Sequence, residues 1–417
     1  MKLVTKTPVP TSLAEKWIRK RFALLRFGSL VVHQDGQEQC YGDGDPTGPA
    51  ARIDVHSPAF WDWVLRRGNV GAGEAYAKGL WGSPDPADVV RLFVRNEAVL
   101  QGMDRGLAVL SKPILGAYHF LRRNTEAGSK ANIEAHYDLS NEFFALFLDP
   151  TMTYSCGLFE TARTTMEEAS VAKLERICRK LDVQPNDHLL EIGTGWGSMA
   201  MHAAREYGCR VTTTTISERQ FELANERVRA AGLADRITIV KQDYRRLEGQ
   251  YDKLVSVEMI EAIGHQYFGE FFAACSRLLK PDGLMCLQSI TIADQFYDEA
   301  RRSVDFIKRY IFPGCCIPAI SPLTQAMAKS SDLRVLQIED IGPHYARTLA
   351  IWRENLQAHG EKARALGFDD EFLRLWEFYF AYCEGGFAER RLSDVQMLLA
   401  RPAARPESLI PELPRGT

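Results

Sequence analysis

The stretch LLEIGTGWGSMA at residues 189–200 decides the fold. Its apolar residues end in Glu191, glycines stand at positions 193, 195 and 197, and small apolar residues that can begin a helix follow. A strand joined to a helix through such a turn is typical of a doubly wound sheet, where ligands bind beyond the carboxyl ends of the strands. The spacing differs from G-x-G-x-x-G, and no Walker lysine follows. The carboxylate of Glu191 before the glycines suits a cationic or amino-bearing ligand better than a pyrophosphate. The purely structural alternative is a tight strand–helix turn that binds no ligand.

The segments that follow residue 165 alternate between helix and strand. Apolar spacing of about 3.6 residues predicts helices, and short apolar runs rich in β-branched residues predict strands. The predicted helices cover 165–183, 197–208, 218–233 and 267–283, and the predicted strands cover 187–193, 210–217, 236–243, 253–260 and 284–292. Strands separated by helices indicate a parallel, doubly wound α/β sheet.

Polar side chains follow the second and third strands of this sheet. Thr215, Ser217 and Gln220 come at the end of the second strand, within reach of a ribose or a methionine-like chain. Asp243 ends the third strand, where it can accept a hydrogen bond from an adenine amino group. This order of features resembles the Rossmann-like class I fold of the S-adenosylmethionine (SAM)-dependent methyltransferases.

Composition and length limit the interpretation further. The 417 residues suit two domains, and 46% hydrophobic and 25% charged residues with a net charge of −3 give no reason to expect nucleic acid as a partner. No apolar run approaches the roughly 20 residues of a membrane span, and the first 16 residues lack the apolar core of a secretory signal. The nine cysteines form no CxxC pair and no metal-like spacing. We therefore expect reduced thiols in a cytosolic protein, and no metal site.

Residues 1–125 differ from the rest of the chain and predict a smaller α+β domain in front of a catalytic domain at 126–417. Within it, residues 15–26 alternate basic with aromatic and aliphatic side chains. That pattern fits a helix lying on anionic lipid, and it equally fits an ordinary amphipathic helix with its charges in water. The aromatic-rich segment 372–392 predicts a helix that either lines an acyl channel or packs in a core.

Five further segments resemble one family, the cyclopropane fatty acid synthases, from about residue 125 to the C-terminus. They cover 133–159, 256–268, 287–292, 305–320 and 342–356. The resemblance implies transfer of the SAM methyl group to a cis double bond of an unsaturated phospholipid acyl chain. The resulting carbocation would lose a proton to a bound bicarbonate and close to a cyclopropane. The resemblance also implies a homodimer, and the substrate implies a membrane surface as partner, on the cytoplasmic side of the inner membrane.

The same resemblance assigns roles to individual residues. Cys156, Glu261 and Tyr345 match residues around the bicarbonate, and Gln288 can hydrogen-bond that anion through its amide. Glu258 has no evident role and is interpreted as a solvated or structural carboxylate. The residues that match or extend the family's cofactor contacts are Tyr154, Ser155, Gly193, Gly195, Thr215, Ser217, Gln220 and Asp243.

Gln288 marks a departure from many members of the family, which have a histidine at this position. Glutamine can hydrogen-bond an anion, but it does not titrate near neutral pH. The methyl transfer is therefore a firmer expectation than the ring closure, and an acyl chain with a methylene or methyl branch is the second hypothesis for the product. A lipid-binding protein that has lost the chemistry and a small-molecule O- or N-methyltransferase are the remaining hypotheses for the function.

Overall fold

The structure is a computed structural model that describes residues 12–42, 44, 47–97 and 140–406. The predicted domain boundary near residue 125 and the start of the family-like segment at 133–139 lie outside these residues. The described α-helices are α1 Leu13–Phe22, α2 Ala59–Ala77, α3 Pro86–Arg95, α4 Asn141–Phe144, α5 Met166–Leu181, α6 Ser198–Tyr207, α7 Glu218–Ala230, α8 Phe268–Leu278, α9 Asp294–Ala300, α10 Phe306–Tyr310, α11 Ile320–Ser330, α12 Gly342–Ala358, α13 Gly360–Ala365 and α14 Asp370–Ala388. The described strands are β1 Ser29–Gln34, β2 Gln37–Tyr41, β3 Ala50–Val55, β4 Trp81–Gly82, β5 His188–Ile192, β6 Arg210–Thr215, β7 Ile237–Lys241, β8 Tyr251–Val257, β9 Leu279–Ile292, β10 Arg334–Asp340 and β11 Leu392–Ala400.

The chain divides into two compact units. In the described residues, the first unit comprises the part before residue 98 together with 303–309 and 360–389. The second comprises 140–302, 310–359 and 390–406.

The second unit contains a seven-stranded sheet in the order β10-β11-β9-β8-β5-β6-β7. The strands from β9 to β7 are parallel, as the alternation of helices and strands predicts. β11 pairs antiparallel with β9, and β10 pairs antiparallel with β11, so the sheet carries two antiparallel strands that the sequence pattern did not predict. Within 267–283 the sequence predicts a helix that the Pro-Asp-Gly turn at 281–283 closes, and α8 ends shortly before that turn, at Leu278.

Both faces of the sheet are buried along β5 and the second half of β9, which is why these segments are nearly continuous apolar runs. Leu190 and Met285 face one core cluster with α8 and α11, and Leu189 and Cys286 face another with α5 and α6. α5 begins at a capping box in which Thr165 and Glu168 satisfy each other's backbone N–H groups.

The first unit contains a four-stranded sheet in the order β2-β1-β3-β4. Asp35 and Gly36 turn β1 into β2, both with positive φ, as a tight hairpin requires. The aromatic face of α14 is buried within this unit, where Phe378 packs against Tyr76 and Trp81. The segment 372–392 therefore packs as a helix core here. No helix in the described part of the chain is both long and apolar enough to cross a membrane.

Candidate active site

The glycine turn begins directly after β5 and leads into α6. Gly193, Gly195 and Gly197 have φ of 102°, 51° and 89°, in the left-handed region that favours glycine. The Gly193 N–H donates to the Thr214 carbonyl at 3.1 Å, which holds the turn against the end of β6. A Cβ built on Gly195 meets no atom within 4 Å. The turn therefore presents an open backbone at the carboxyl end of the sheet.

Glu191 lies below the turn, in the interior of the sheet. It is 3% exposed, and Thr213 donates to its carboxyl at 2.6 Å. Burial raises the pKa of Glu191 to about 8, so the side chain is protonated at neutral pH and does not supply negative charge to a ligand.

The predicted cofactor residues after β6 form a buried polar group. The Thr215 hydroxyl donates to the Gln220 side chain at 2.8 Å and accepts from the Ser217 N–H at 3.1 Å. Ser217 in turn caps α7. The structure thus brings these three predicted residues together, one strand away from the glycine turn.

Asp243 lies at the end of β7, as predicted, but it is paired with a cation. Arg245 donates to both of its carboxylate oxygens, at 2.8 and 2.6 Å. Burial acts to raise the pKa of Asp243, but the bonds from Arg245 outweigh it and lower that pKa. Sequence reasoning did not foresee this partner, which leaves the carboxylate fewer free acceptor sites.

Tyr154 and Ser155 lie within the second unit, in the segment between α4 and α5. The Tyr154 ring contacts a cluster of aromatic rings at centroid distances of 5.2 to 6.5 Å, formed by Phe144, Phe147, Phe312 and Trp352. Ser155 is buried, and Lys173 of α5 donates to its hydroxyl at 2.6 Å. An aromatic wall of this kind excludes water and tolerates positive charge.

Glu258 lies at the centre of the site. One carboxylate oxygen accepts from the Cys156 N–H at 2.9 Å and from the Gln288 amide at 2.9 Å, and the other accepts from the Tyr345 hydroxyl at 2.5 Å. The three donors come from three separate parts of the chain and occupy both carboxylate oxygens. Its backbone has φ of 48°, which costs a residue with a side chain about 1 kcal/mol. Such strain is typical of functional positions.

Glu261 lies three residues later, in a buried position. The Ile290 N–H and the Ser289 hydroxyl donate to one of its oxygens, at 2.6 and 3.0 Å. Its other oxygen is buried and has no hydrogen-bond partner among the residues the structure describes. Burial, and then the charge of Glu258, raise the pKa of Glu261 to about 8. Glu261 is therefore neutral at pH 7.

Asp394 adds a third carboxyl from β11. The Gln288 amide nitrogen donates to it at 2.8 Å and also to Glu258, so one amide bridges the two carboxyls. Burial, followed by the charge of Glu258 and a hydrogen bond to it, raises the pKa of Asp394 well above its usual range. Asp394 therefore favours its protonated, neutral form.

Lys173 supplies the balancing positive charge. It is 1% exposed on the buried face of α5, and its largest favourable electrostatic interaction is with Glu258. Burial lowers the pKa of Lys173, and the neighbouring acids oppose that shift. Lys173 stands in the apolar stripe of α5, four residues from both Ala169 and Ile177. A charged residue at such a position indicates a buried cation, and sequence reasoning missed this signal.

Burial is the largest cause that raises the pKa of the Cys156 thiol well above its usual value, so the thiol stays protonated and unreactive. Cys156 enters the site through its backbone N–H. The amide of Gln288 is fully used, since its oxygen also accepts from Gln396 at 3.1 Å.

A bicarbonate does not fit the donors that the resemblance assigned to it. Cys156, Gln288 and Tyr345 all bind the Glu258 carboxylate, which has the same trigonal oxygens as bicarbonate. A second anion would also lie beside the negative charge of Glu258 without a free donor from these three residues. The structure thus arranges three of the four predicted catalytic residues, Cys156, Gln288 and Tyr345, around Glu258, a side chain that sequence reasoning set aside. The fourth, Glu261, lies nearby.

Comparison with known proteins identifies the family. The family model described as mycolic acid cyclopropane synthetase matches residues 124–397. The tuberculostearic acid methyltransferase UfaA1 of Mycobacterium tuberculosis is 37% identical over 380 residues, covering 89% of this chain and 87% of that protein. The cyclopropane-fatty-acyl-phospholipid synthase of Escherichia coli is 34% identical over 356 residues, covering 84% of this chain and 88% of that protein.

A solved structure agrees with the sequence relatives. The mycolic acid cyclopropane synthase CmaA1, complexed with SAH and CTAB, superposes with a TM-score of 0.61 and 32% identity over 65% of this chain and 98% of that one. This match confirms the predicted class I methyltransferase fold and supports SAM as the cofactor. The chain therefore belongs to the cyclopropane fatty acid synthase family and is a SAM-dependent C-methyltransferase.

Proposed function

We propose that this chain methylates the cis double bond of an unsaturated phospholipid acyl chain and closes a cyclopropane ring. The observation that carries the proposal is the fixed carboxylate of Glu258 beside the glycine turn, where a Cβ on Gly193 would meet the Met259 side chain at 3.4 Å. A methylated alkene is a carbocation, and it needs a base that is close and held in place. The names of the two relatives support lipid substrates of this kind.

Different residues of the chain bind the cofactor, exclude water and accept the proton. When bound, SAM supplies an electrophilic methyl group that the π electrons of the alkene attack. The glycine turn and the Thr215 group hold the cofactor, and the aromatic rings around Tyr154 keep water away from the cation. The cluster of Glu258, Glu261 and Asp394, which we call the carboxylate centre, receives the proton that leaves the cation. Lys173 keeps that centre from accumulating negative charge.

A methylene or methyl-branched product is the second candidate. The methylene product requires the same methyl transfer, then a hydride shift along the acyl chain, and then loss of a proton to the same base. The saturated methyl branch requires a separate reductase that reduces this alkene. The name of the 37% identical relative, a tuberculostearic acid methyltransferase, favours it. The two candidates differ in the bond that forms when the proton leaves, so the product distinguishes them.

The experiment that tests the transfer compares two lipids. The purified chain is incubated with methyl-labelled SAM and with vesicles of either mono-unsaturated or fully saturated phospholipid. We expect label in the acyl chains of the unsaturated lipid alone. Label in neither lipid, from protein that binds SAM in a calorimeter, would refute an acyl-lipid substrate.

We also propose that the first unit carries the chain to the cytoplasmic surface of the membrane. Arg19 is occupied inside the unit by Glu15 and Tyr41, but Lys16, Lys20 and Arg26 are exposed. Their exposed apolar neighbours are Leu13, Leu24 and Phe27. Basic and apolar side chains on one surface fit anionic lipid.

A vesicle-sedimentation assay tests this surface. The double substitution Leu24→Ser and Phe27→Ser should weaken sedimentation with anionic vesicles at least tenfold. The same change at exposed Leu366, which lies elsewhere in the unit, should not. Equal sedimentation of all variants would refute the proposed surface. The homodimer stays a prediction, to be tested by light scattering.

A further inference from the structure

The carboxylate of Glu258 has the shape, charge and donors that a bound bicarbonate would need. Its two oxygens accept three hydrogen bonds, from a backbone N–H, a side-chain amide and a phenol. It is half-buried, whereas Glu261 and Asp394 are buried and neutral. Of the three carboxyls in the cluster, Glu258 alone is partly accessible and accepts hydrogen bonds from three separate segments.

We propose that Glu258 is the catalytic base and that this chain needs no free bicarbonate. The inference rests on the proposed function. In the proton-transfer step, a C–H bond of the transferred methyl group breaks and its electron pair forms the C–C bond that closes the ring. The proton joins a carboxylate oxygen of Glu258 and later passes to solvent, and no further reactant is needed.

The backbone at Glu258 fits this role. Its left-handed conformation is strained for any residue but glycine, and the Glu258 N–H donates to the Gln288 carbonyl at 2.9 Å, which holds the strained residue to β9. Glycine suits this φ better. The Glu258→Gly variant should therefore relieve the strain and leave the donors of Cys156, Gln288 and Tyr345 around a space of carboxylate size.

The decisive experiment varies bicarbonate. Methyl transfer to unsaturated phospholipid is measured in argon-purged buffer, with and without added bicarbonate. We expect the parent chain to be equally active in both. Glu258→Gly should be at least 100-fold less active in purged buffer and should recover on addition of bicarbonate or formate. Glu258→Gln should lose at least 100-fold in both buffers, and Glu222→Gln, on the exposed face of α7, serves as the matched control.

Each outcome decides the proposal. A parent chain that loses activity in purged buffer and regains it with bicarbonate would overturn the inference and leave the proposed function standing. A fully active Glu258→Gln variant would also overturn the inference and leave the proposed function standing. Failure of the parent chain to label any lipid would remove the proposed function, and the inference with it. The comparison of parent activities in the two buffers needs no variant to fold.

Asp394 is a positioning residue in this scheme, because it acts on substrate only through Glu258. The charged or titratable groups around Glu258 are Lys173 of α5, Cys156, Glu261, Tyr345 of α12 and Asp394 of β11. The Gln288 amide donates to both Asp394 and Glu258, so Asp394 fixes one of the donors that hold the base. Asp394→Asn should therefore lower kcat at least tenfold with little change in KM. An unchanged kcat in a folded variant would assign Asp394 a purely structural role.

Discussion

Removing the buried lysine tests whether the carboxylate centre is held together by charge. Lys173→Met keeps the length and apolar stem of the side chain but deletes the cation that faces Glu258. Lys173 donates its hydrogen bond to Ser155 and acts on Glu258 through its charge. Breaking a directly paired buried ion pair from one side costs about 3–5 kcal/mol, which sets the upper bound for this loss. A domain of ordinary stability has about 5–15 kcal/mol in total. The single variant should therefore be folded but clearly less stable.

The second substitution separates charge from packing. Glu258→Gln removes the anion that Lys173→Met leaves behind, so the double variant should lose about 1–3 kcal/mol less than the sum of the two single losses. Urea unfolding followed by circular dichroism measures the free energies, and SAM binding reports that the site has formed. Strictly additive losses would refute the reasoning, because they would mean that Lys173 contributes packing alone.

Three further predictions concern the turn, the buried acid and the start of α5. Gly195→Val should weaken SAM binding at least tenfold in calorimetry, whereas the control Gly232→Val should leave it unchanged. Both glycines have positive φ and open space around a Cβ, but only Gly195 lies in the glycine turn. Glu261 has a pKa of about 8 when folded against an ordinary 4.5, so the free energy of unfolding should fall as pH rises from about 4.5 to 8. Glu261→Gln should flatten that dependence in urea titrations at several pH values, and an unchanged slope would contradict the assignment. Thr165→Ala should lower the free energy of unfolding by about 1 kcal/mol in the same assay, because it removes the helix cap that pairs with Glu168. A change smaller than the experimental error would show that the capping box does not stabilise the protein.

The sequence predicted the parts of the site that lie in continuous motifs. The glycine turn, the Thr215 group and the position of Asp243 follow from where each strand ends, because parallel strands bring those ends to one edge. The antiparallel strands β10 and β11 were not predicted, because a parallel α/β pattern says nothing of a return strand about 100 residues later.

The chemistry of the centre was harder to foresee, because it depends on contacts between distant segments. Glu258 meets Cys156 and Tyr345, which are 102 and 87 residues away. Asp394 is an acidic residue within an apolar strand, and this contrast is visible in the sequence. Only the structure shows that its side chain accepts a hydrogen bond from Gln288 of the neighbouring strand β9. The protonation of Glu191 and Glu261 follows from burial, which a motif does not contain.

The chemical structure of the lipid product distinguishes ring closure from the alternatives. Acyl chains are recovered after incubation of the protein with mono-unsaturated phospholipid and with SAM that carries a labelled methyl group. They are examined by proton NMR, since ring closure and methylene formation add the same mass. We expect the upfield protons of a cyclopropane ring in the labelled chains. Vinylidene protons would leave the methyl transfer standing and refute the ring closure, and unlabelled lipid in the presence of bound SAM would refute acyl-lipid methylation altogether.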